Sequence, residues 1–255
     1  MQSVAGAGVV VTGAGSGIGA ALARRFAAEG ARVVVNDLNA AAAGEVARSC
    51  GATAAPGDAA GEEGVAALVA TARDALGEID LFCANAGVAR EQDTEANWED
   101  SWQVNVMAHV RAARLLLPGW LERGSGHLIC TVSAAGLLTM LGSAPYSVTK
   151  HAALGFAEWL AASYAHRGIT VQALCPMGVR TAMLDGTSPA AEIILGETAI
   201  EPEAVADTVA EAIADGRFLI LPHPEVATYE RRRADDRERW LRGMRRLLAR
   251  LSAQN

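Results

Sequence analysis

Tyr146 and Lys150 stand four residues apart. On a helix that spacing puts both side chains on one face, and an ammonium beside a phenol favours the phenolate by Coulomb attraction. A Tyr-x-x-x-Lys pair taken alone also fits an ordinary solvated helix face. Lys150 is the single lysine of the chain, and every other basic residue is Arg. Ser133 lies 13 residues before Tyr146, at the end of a predicted strand. In parallel α/β sheets, ligands bind outside the carboxyl ends of the strands. A hydroxyl there can hydrogen-bond a substrate oxygen and the tyrosine, although a turn or cap serine would look the same. Asn105 falls inside a predicted helix, where asparagine is mildly unfavourable. A bonding role there is weighed against a structural one.

A second group of residues suits a dinucleotide. Thr12-Gly13-Ala14-Gly15-Ser16-Gly17-Ile18-Gly19 follows the first predicted strand and opens a helix. Glycines permit a tight turn and close approach to a pyrophosphate, and the helix N-terminus offers free N–H groups with partial positive charge. The strand–turn–helix context in the first β-α unit lifts the motif above a common glycine-rich loop. Gly13, Ser16, Gly17, Ile18 and Gly19 are its expected contacts. Asp37 ends the second strand, where a carboxylate can accept from a ribose diol and would repel a 2′-phosphate. No basic residue sits in the turn or follows Asp37 until Arg48, so NAD is expected over NADP. Asp37 also fits a cap on the helix starting near Ala40. Asp58, after the third strand, reads as a contact to the adenine edge together with the backbone of Ala59, or as an N-cap. Asn85-Ala86-Gly87 follows the fourth strand and can line the cofactor cleft. With such a cofactor in place, Tyr146 must fall roughly two to three units below a pKa of about 10 to work near neutrality. That is about 3–4 kcal/mol, to be supplied by Lys150 and the cofactor's positive ring together.

The elements that must position these residues alternate along the chain. Strands are predicted at Val9–Thr12, Arg32–Asn36, Ala52–Ala55, Asp80–Ala84, His127–Val132, Ile169–Leu174 and Phe218–Leu221. Between them run helices near Ile18–Glu29, Ala40–Cys50, Glu62–Leu76, 97–123 (one helix or two), Ala144–Arg167 and Pro202–Asp215, with Gly168 placed to stop the longest. Repeated β-α units with continuously apolar strands imply a doubly wound, seven-stranded parallel sheet of Rossmann type, covered on both faces. Residues 1–221 read as a dinucleotide-binding catalytic domain and 222–255 as a C-terminal helical extension. Residues 182–201 are the least regular part and suggest a mobile loop or lid.

Composition narrows the function classes. The chain has 255 residues, 51% hydrophobic and 20% charged, as an ordinary folded protein does. Its net charge of −7 argues against nucleic acid as a partner. No apolar run approaches the length of a transmembrane helix, and no basic residue precedes Arg24, so neither a membrane span nor a signal peptide is expected. The four cysteines (Cys50, Cys83, Cys130 and Cys175) are far apart, and no His/Cys cluster has metal-ligand spacing. Free thiols in a reducing cytoplasm and no metal site are the expectation.

Taken in order and spacing, these motifs resemble the short-chain dehydrogenase/reductase family, in its common subgroup of roughly 250 residues. The resemblance covers residues 8 to 221. It rests on Thr12–Gly19, Asp58, Asn85-Ala86-Gly87, Asn105, Ser133, Tyr146-x-x-x-Lys150 and the Pro176–Thr181 segment. It implies a carbonyl/alcohol redox reaction with a nicotinamide cofactor. It also implies roles: Tyr146 as acid/base, Lys150 on the nicotinamide ribose and the tyrosine, Ser133 on the substrate oxygen, and Asn105 holding a water in a proton relay. Pro176, Val179 and Thr181 would hold the carboxamide end. The chain departs from the family pattern at Ala84, where an Asn is usual, and at Met177, where a Gly is usual.

Ala134, Ala135, Leu137, Leu138, Met140, Leu141, Met177 and Met183 are expected near the substrate. No basic residue lies between 134 and 145 to pair with an anion, and Arg180 is expected to point to solvent. The substrate is therefore expected to be a hydrophobic secondary alcohol or its ketone. Reduction of a carrier-bound 3-oxoacyl thioester is the alternative, and a catalytically silent nicotinamide-sensing protein is a third reading. A homodimer or homotetramer is expected.

The tail has its own pattern. Residues 231–250 hold nine Arg against Asp235, Asp236 and Glu238, a net +6, so the remainder carries −13 and offers an obvious partner. Trp240, Leu241, Met244, Leu247, Leu248 and Leu251 form one helical stripe. The stripe fits packing on its own domain, a subunit contact or a lid over a neighbouring site, or, more remotely, an interfacial helix or a docking face for an acidic carrier.

Overall fold

The computed structural model describes residues 2–90, 92–185 and 198–252. Its elements run β1 (Gly8–Val11), α1 (Gly17–Ala28), β2 (Arg32–Val35), α2 (Ala40–Cys50), β3 (Thr53–Ala54), α3 (Glu62–Leu76), β4 (Leu81–Ala84), α4 (Glu95–Trp102), α5 (Ala108–Arg123), β5 (Gly126–Thr131), α6 (Ala134–Leu138), α7 (Ala144–Tyr164), β6 (Ile169–Leu174), α8 (Ala182–Asp185), α9 (Pro202–Asp215), β7 (Leu219–Ile220), α10 (Glu225–Asp235) and α11 (Arg237–Ser252). The strands form one parallel sheet in the order β3-β2-β1-β4-β5-β6-β7. Most of the predicted irregular stretch, residues 186–197, lies outside the described residues.

Alternating strand side chains feed two cores. Val10, Val34, Phe82 and Leu128 pack against α3, α5 and α7 on one face. Val9, Val11, Val35, Leu81 and Ile129 pack against α1, α2 and α9 on the other. Buried on both sides, the strands need no polar face, which is why they read as unbroken apolar runs. The chain winds outward through β1, β2 and β3, then crosses back to place β4 on the other side of β1. The carboxyl ends of β1 and β4 therefore diverge at a topological switch point, where such sheets open a crevice.

Local signals set the helix ends. The Asn39 side chain accepts from Ala41 N and Ala42 N and caps α2, so the cap is Asn39 and not Asp37. Ser143 caps α7 by accepting from Tyr146 N at 3.1 Å, which fixes Tyr146 in the first turn. The predicted helix over 144–167 ends as α7 followed by a 3-10 turn, Ala165–Arg167, stopped at Gly168. The 97–123 region is two helices joined by a π-helical turn, Gln103–Met107, with Asn105 buried at its centre. Two short helices, α6 and α8, were not expected, whereas α10 and α11 fall within the expected helical extension.

In the tail, α11 carries the predicted stripe. Among the described residues, no arginine between 231 and 250 pairs with a carboxylate within 4 Å. The ion pairs join other parts of the chain, such as Arg90 with Asp100 and Arg123 with Asp80. The expected pairing of the tail with the acidic body is therefore not seen. No helix among the described residues is long and apolar enough to cross a membrane.

Two histidines lie inside this framework. His109 and His127 are each 1% exposed. Burial, aided by the Lys150 charge, pushes His109 down to about 3. Burial outweighs a hydrogen bond with Gln172 and pushes His127 down to about 4. Folding holds both neutral, so their contribution is fully present above the unfolded value near 6.5 and is lost as pH falls toward the folded values. With two protons taken up on unfolding, these groups should lower stability by about 2.7 kcal/mol per pH unit within that window. Denaturant melts at pH 7, 6, 5 and 4.5 check this, and a His127→Asn variant should show about half the slope. A flat profile across that range would contradict the buried neutral state of both rings.

Candidate active site

The crevice opens into one cavity of about 680 Å³ at the carboxyl edge of the sheet. Its first wall is the turn between β1 and α1. Gly13, Ser16, Gly17, Ile18 and Gly19 all line it. Ser16 occupies the N-cap of α1 with no side-chain cap bond, whereas α2, α4 and α7 are capped by Asn39, Thr94 and Ser143. The α1 N-terminus thus leaves the backbone N–H donors that an anion needs. Gly19 admits no side chain: a Cβ there would lie 2.3 Å from Gly13 O and 2.7 Å from Asn85 Nδ2.

Asp37 lies at the far end of this wall and also lines the cavity. Its Oδ2 accepts from Gly15 N and its Oδ1 from Asn39 N, both at 2.9 Å. A carboxylate has about four acceptor sites, so two bonds leave capacity for a diol. Asn85, Ala86 and Gly87 form the floor. Thr12 Oγ1 accepts from Asn85 N and Ala86 N at 3.0 Å, and Asn85 Nδ2 donates to Thr12 O at 2.9 Å. Thr131 Oγ1 donates to Asn85 Oδ1 at 3.1 Å. These bonds lock the ends of β1, β4 and β5 to one another.

Ser133, Tyr146 and Lys150 meet in the middle of the cavity. Ser133 has φ +153°, a backbone region nearly reserved for glycine. Bonds on either side hold it there: Val132 N donates to Leu174 O and Ala134 N to Pro176 O, both at 2.8 Å. Strain of this kind, about 1–3 kcal/mol, persists where surrounding structure dictates it, and it gathers at active sites. Lys150 is 3% exposed. Its Nζ donates to Thr131 O at 2.9 Å and lies 5.6 Å from the centre of the Tyr146 ring.

Burial raises the Tyr146 phenol above its ordinary value, opposed by a hydrogen bond with Ser133. Lys150 faces the ring, and the protein by itself does not lower the phenol. Burial also brings Lys150 down to about 8, opposed by the nearby Cys175 and Cys130. An ammonium with that value is still mostly protonated at neutral pH.

Pro176, Val179 and Thr181 line the opposite wall. The segment is pinned by a parallel bridge between Val179 and Ile200 and by Met177 N donating to His223 Nδ1 at 3.2 Å. Arg180 pairs with Glu201 at 3.1 Å on the surface, so it does point to solvent. The substrate end is apolar. Ala134, Ala135, Leu138, Met140, Leu141, Met177 and Met183 all reach it, whereas Leu137 turns into the core as part of α6. Asp37 and Lys150 are the only charged residues lining the cavity among those described.

Besides Leu137, three residues named from sequence lie off the cavity. Asp58 accepts from Ala60 N and Gly61 N, both at 2.8 Å, and so braces the start of α3. Ala59 packs against the core. Asn105 Oδ1 accepts from Val88 N at 2.9 Å, while its Nδ2 donates to Val88 O and Thr149 Oγ1. Its side chain clamps the loop after Gly87 to α7. Residues not foreseen are Thr131, His223, Tyr229 and the α11 wall. Thr131 and His223 are single polar residues without a pattern, and Tyr229 sits in a polar helix.

Comparison with known proteins agrees with this geometry. The family model for short chain dehydrogenase matches residues 7–192. A 1-deoxy-11-beta-hydroxypentalenate dehydrogenase from Streptomyces exfoliatus is 40% identical over 241 residues, covering 89% of this chain and 86% of that protein. A short chain dehydrogenase/reductase from Burkholderia phymatum, solved in complex with NAD, superposes with a TM-score of 0.84 at 30% identity, over 93% of this chain and 96% of the other. A 3-ketoacyl-(acyl-carrier-protein) reductase from Brucella melitensis, solved with NADH, gives a TM-score of 0.80 at 27% identity, over 87% and 99%.

Proposed function

This chain belongs to the short-chain dehydrogenase family, and from that premise we propose that it is an NAD-dependent oxidoreductase interconverting a hydrophobic secondary alcohol and its ketone. The observation that carries the reading is that one cavity joins a phosphate-type turn and Asp37 at one end, Ser133, Tyr146 and Lys150 in the middle, and apolar walls beyond. NAD, when bound along Gly13–Gly19 with its ribose at Asp37, supplies the hydride acceptor. The chain's own residues manage the proton. Ser133 holds the substrate oxygen by a hydrogen bond from its hydroxyl. Tyr146 Oη takes the hydroxyl proton as the alcohol is oxidised and returns it in the reverse direction. Lys150 favours the phenolate that takes this proton, since nearby positive charge offsets the cost of burial. Asn105 fixes Val88 and Thr149, and so holds Gly87 and α7 in register.

Asp37 selects the cofactor in this account. A 2′-phosphate would meet a fixed carboxylate, a like-charge contact that costs several kcal/mol. Asp37→Asn keeps one acceptor oxygen and removes the charge, so its NADP:NAD ratio of kcat/KM should rise about 100-fold. Absorbance at 340 nm with each cofactor and a panel of hydrophobic secondary alcohols reads both the activity and the ratio. Better turnover with NADP in the unmodified protein would sink the role given to Asp37. Turnover of small charged hydroxy acids alone would sink the substrate class.

One observation keeps the thioester reading alive. The Brucella reductase named above was solved with NADH, so an NAD-type site does not by itself argue against a 3-oxoacyl thioester. The apolar lining favours the alcohol, and the same assay run with a 3-oxoacyl thioester and NADH decides between them. Exposed Val148 and Trp159 on α7 favour the expected homodimer or homotetramer, and four free thiols favour a reducing cytoplasm.

A further inference from the structure

The apolar stripe of α11 faces the cavity of its own chain. Trp240, Met244, Leu247 and Leu248 line the substrate end, joined by Tyr229 from α10. α10 packs against α6, and α11 packs chiefly on α10. The two helices form an arm that leaves the sheet after β7 and returns over the catalytic residues. A single extended residue, Asp236 (φ −146°, ψ 89°), joins them. It restarts the chain as a helix: Asp236 Oδ1 accepts from Arg239 N at 2.8 Å and Asp236 O from Trp240 N at 3.0 Å.

A helix of this length is marginal in water unless its apolar face is covered. Trp240 packs on the core, but Met244 and Leu247 are only half-buried and Leu248 is 47% exposed. The outer face carries Arg239, Arg242, Arg245 and Arg246, all exposed, which keeps that side in water. Among the described residues, the inner face meets cavity space bounded across from it by Met140, Leu141 and Met177.

We propose that α11 is a substrate lid, hinged at Asp236, that selects alcohols carrying a bulky apolar body beyond the carbinol carbon. The substrate itself completes the cover of the stripe, so binding and lid closure are one event. This rests on the alcohol dehydrogenase reading and adds the shape of the substrate to it. Because apolar contact with the lid is made by large substrates and not by small ones, selectivity should reside in Trp240 and Met244.

The test compares kcat/KM for cyclododecanol and 2-propanol with NAD, in the full-length chain. Met244→Trp fills the space and should lower the cyclododecanol:2-propanol ratio by at least about tenfold, and Trp240→Ala should lower it by about as much, since even one methylene of pocket contact is worth that. Arg245→Ala, on the outer face, should keep the original ratio. Hydrogen exchange of residues 237–252 is followed in parallel and should slow when cyclododecanol is added with NAD. If alcohols turn over and the two inner-face variants leave the ratio unchanged, the lid is wrong while the dehydrogenase reading stands. If no alcohol turns over, the dehydrogenase reading fails, and exchange alone decides the lid: slower exchange supports it, and unchanged exchange overturns it.

Discussion

Tyr146→Phe is expected to lower kcat by about 10²–10⁴-fold, the usual contribution of a positioned acid–base group, with NAD binding retained. The substitution removes one oxygen. The ring stays in the first turn of α7, because the cap from Ser143 is made to the Tyr146 backbone N–H. Without the phenol, no other group lining the middle of the cavity can exchange a proton with the substrate oxygen near neutrality. Ser133 offers only an aliphatic hydroxyl, too weak an acid for this exchange. Lys150 Nζ is held on Thr131 O. Because burial raises the Tyr146 phenol in the protein by itself, the catalytic step asks for added positive charge near the ring. Activity at limiting substrate should therefore rise with pH as the phenolate becomes accessible, and this dependence should vanish in the variant. Equal rates in the two proteins, with circular dichroism showing both folded, would remove Tyr146 from the mechanism.

Lys150→Met should be nearly as damaging, lowering kcat/KM by about 100-fold or more as both the tyrosine and the ribose lose their cation. Lys150→Arg should not rescue it. The ammonium is compact, and its Nζ lies 3.4 Å from the point where a Cβ on Gly87 would stand. A planar guanidinium is broader and presents its donors in a fixed fork, so it cannot take the same bond to Thr131 O without displacing Gly87. This accounts for the one departure from arginine in the chain's basic residues. Titration calorimetry should show weaker NAD binding in both variants, and initial rates should show the loss of turnover. An Arg variant with full activity would mean that charge alone is needed and that the packing around Nζ is incidental.

Much of this site was legible because it depends on local rules. Spacing of four on a helix put Tyr146 and Lys150 together. The glycine turn could be read because β1 and α1 are continuous elements with ordinary signals at their ends. The positions that escaped depend on local bonds and packing that leave no periodic signal. Asp58 carries the right chemistry for an adenine contact, but its oxygens accept from Ala60 N and Gly61 N and it does not line the cavity. Asn105 was placed in a helix, and the π-helical turn that buries it and aims it at Val88 has no sequence signature of its own. The five-residue α6 is too short to show periodicity, so Leu137 was assigned to the substrate when it faces the core. The stripe on α11 was visible from its spacing, but periodicity says nothing about which surface a stripe covers. Burial of the Tyr146 ring, which raises its phenol in the protein by itself, depends on the whole fold and has no signature in the sequence.

Hydride transfer from carbon to the cofactor, with the proton taken by the protein, can be read in one experiment. The protein is mixed with NAD and a hydrophobic secondary alcohol deuterated at the carbinol carbon, and the products are examined by mass spectrometry. The account predicts that the deuterium appears in NADH and that the hydroxyl proton does not, with label transfer all but lost in Tyr146→Phe. Deuterium released to water, or labelled NADH formed equally well without the phenol, would contradict it.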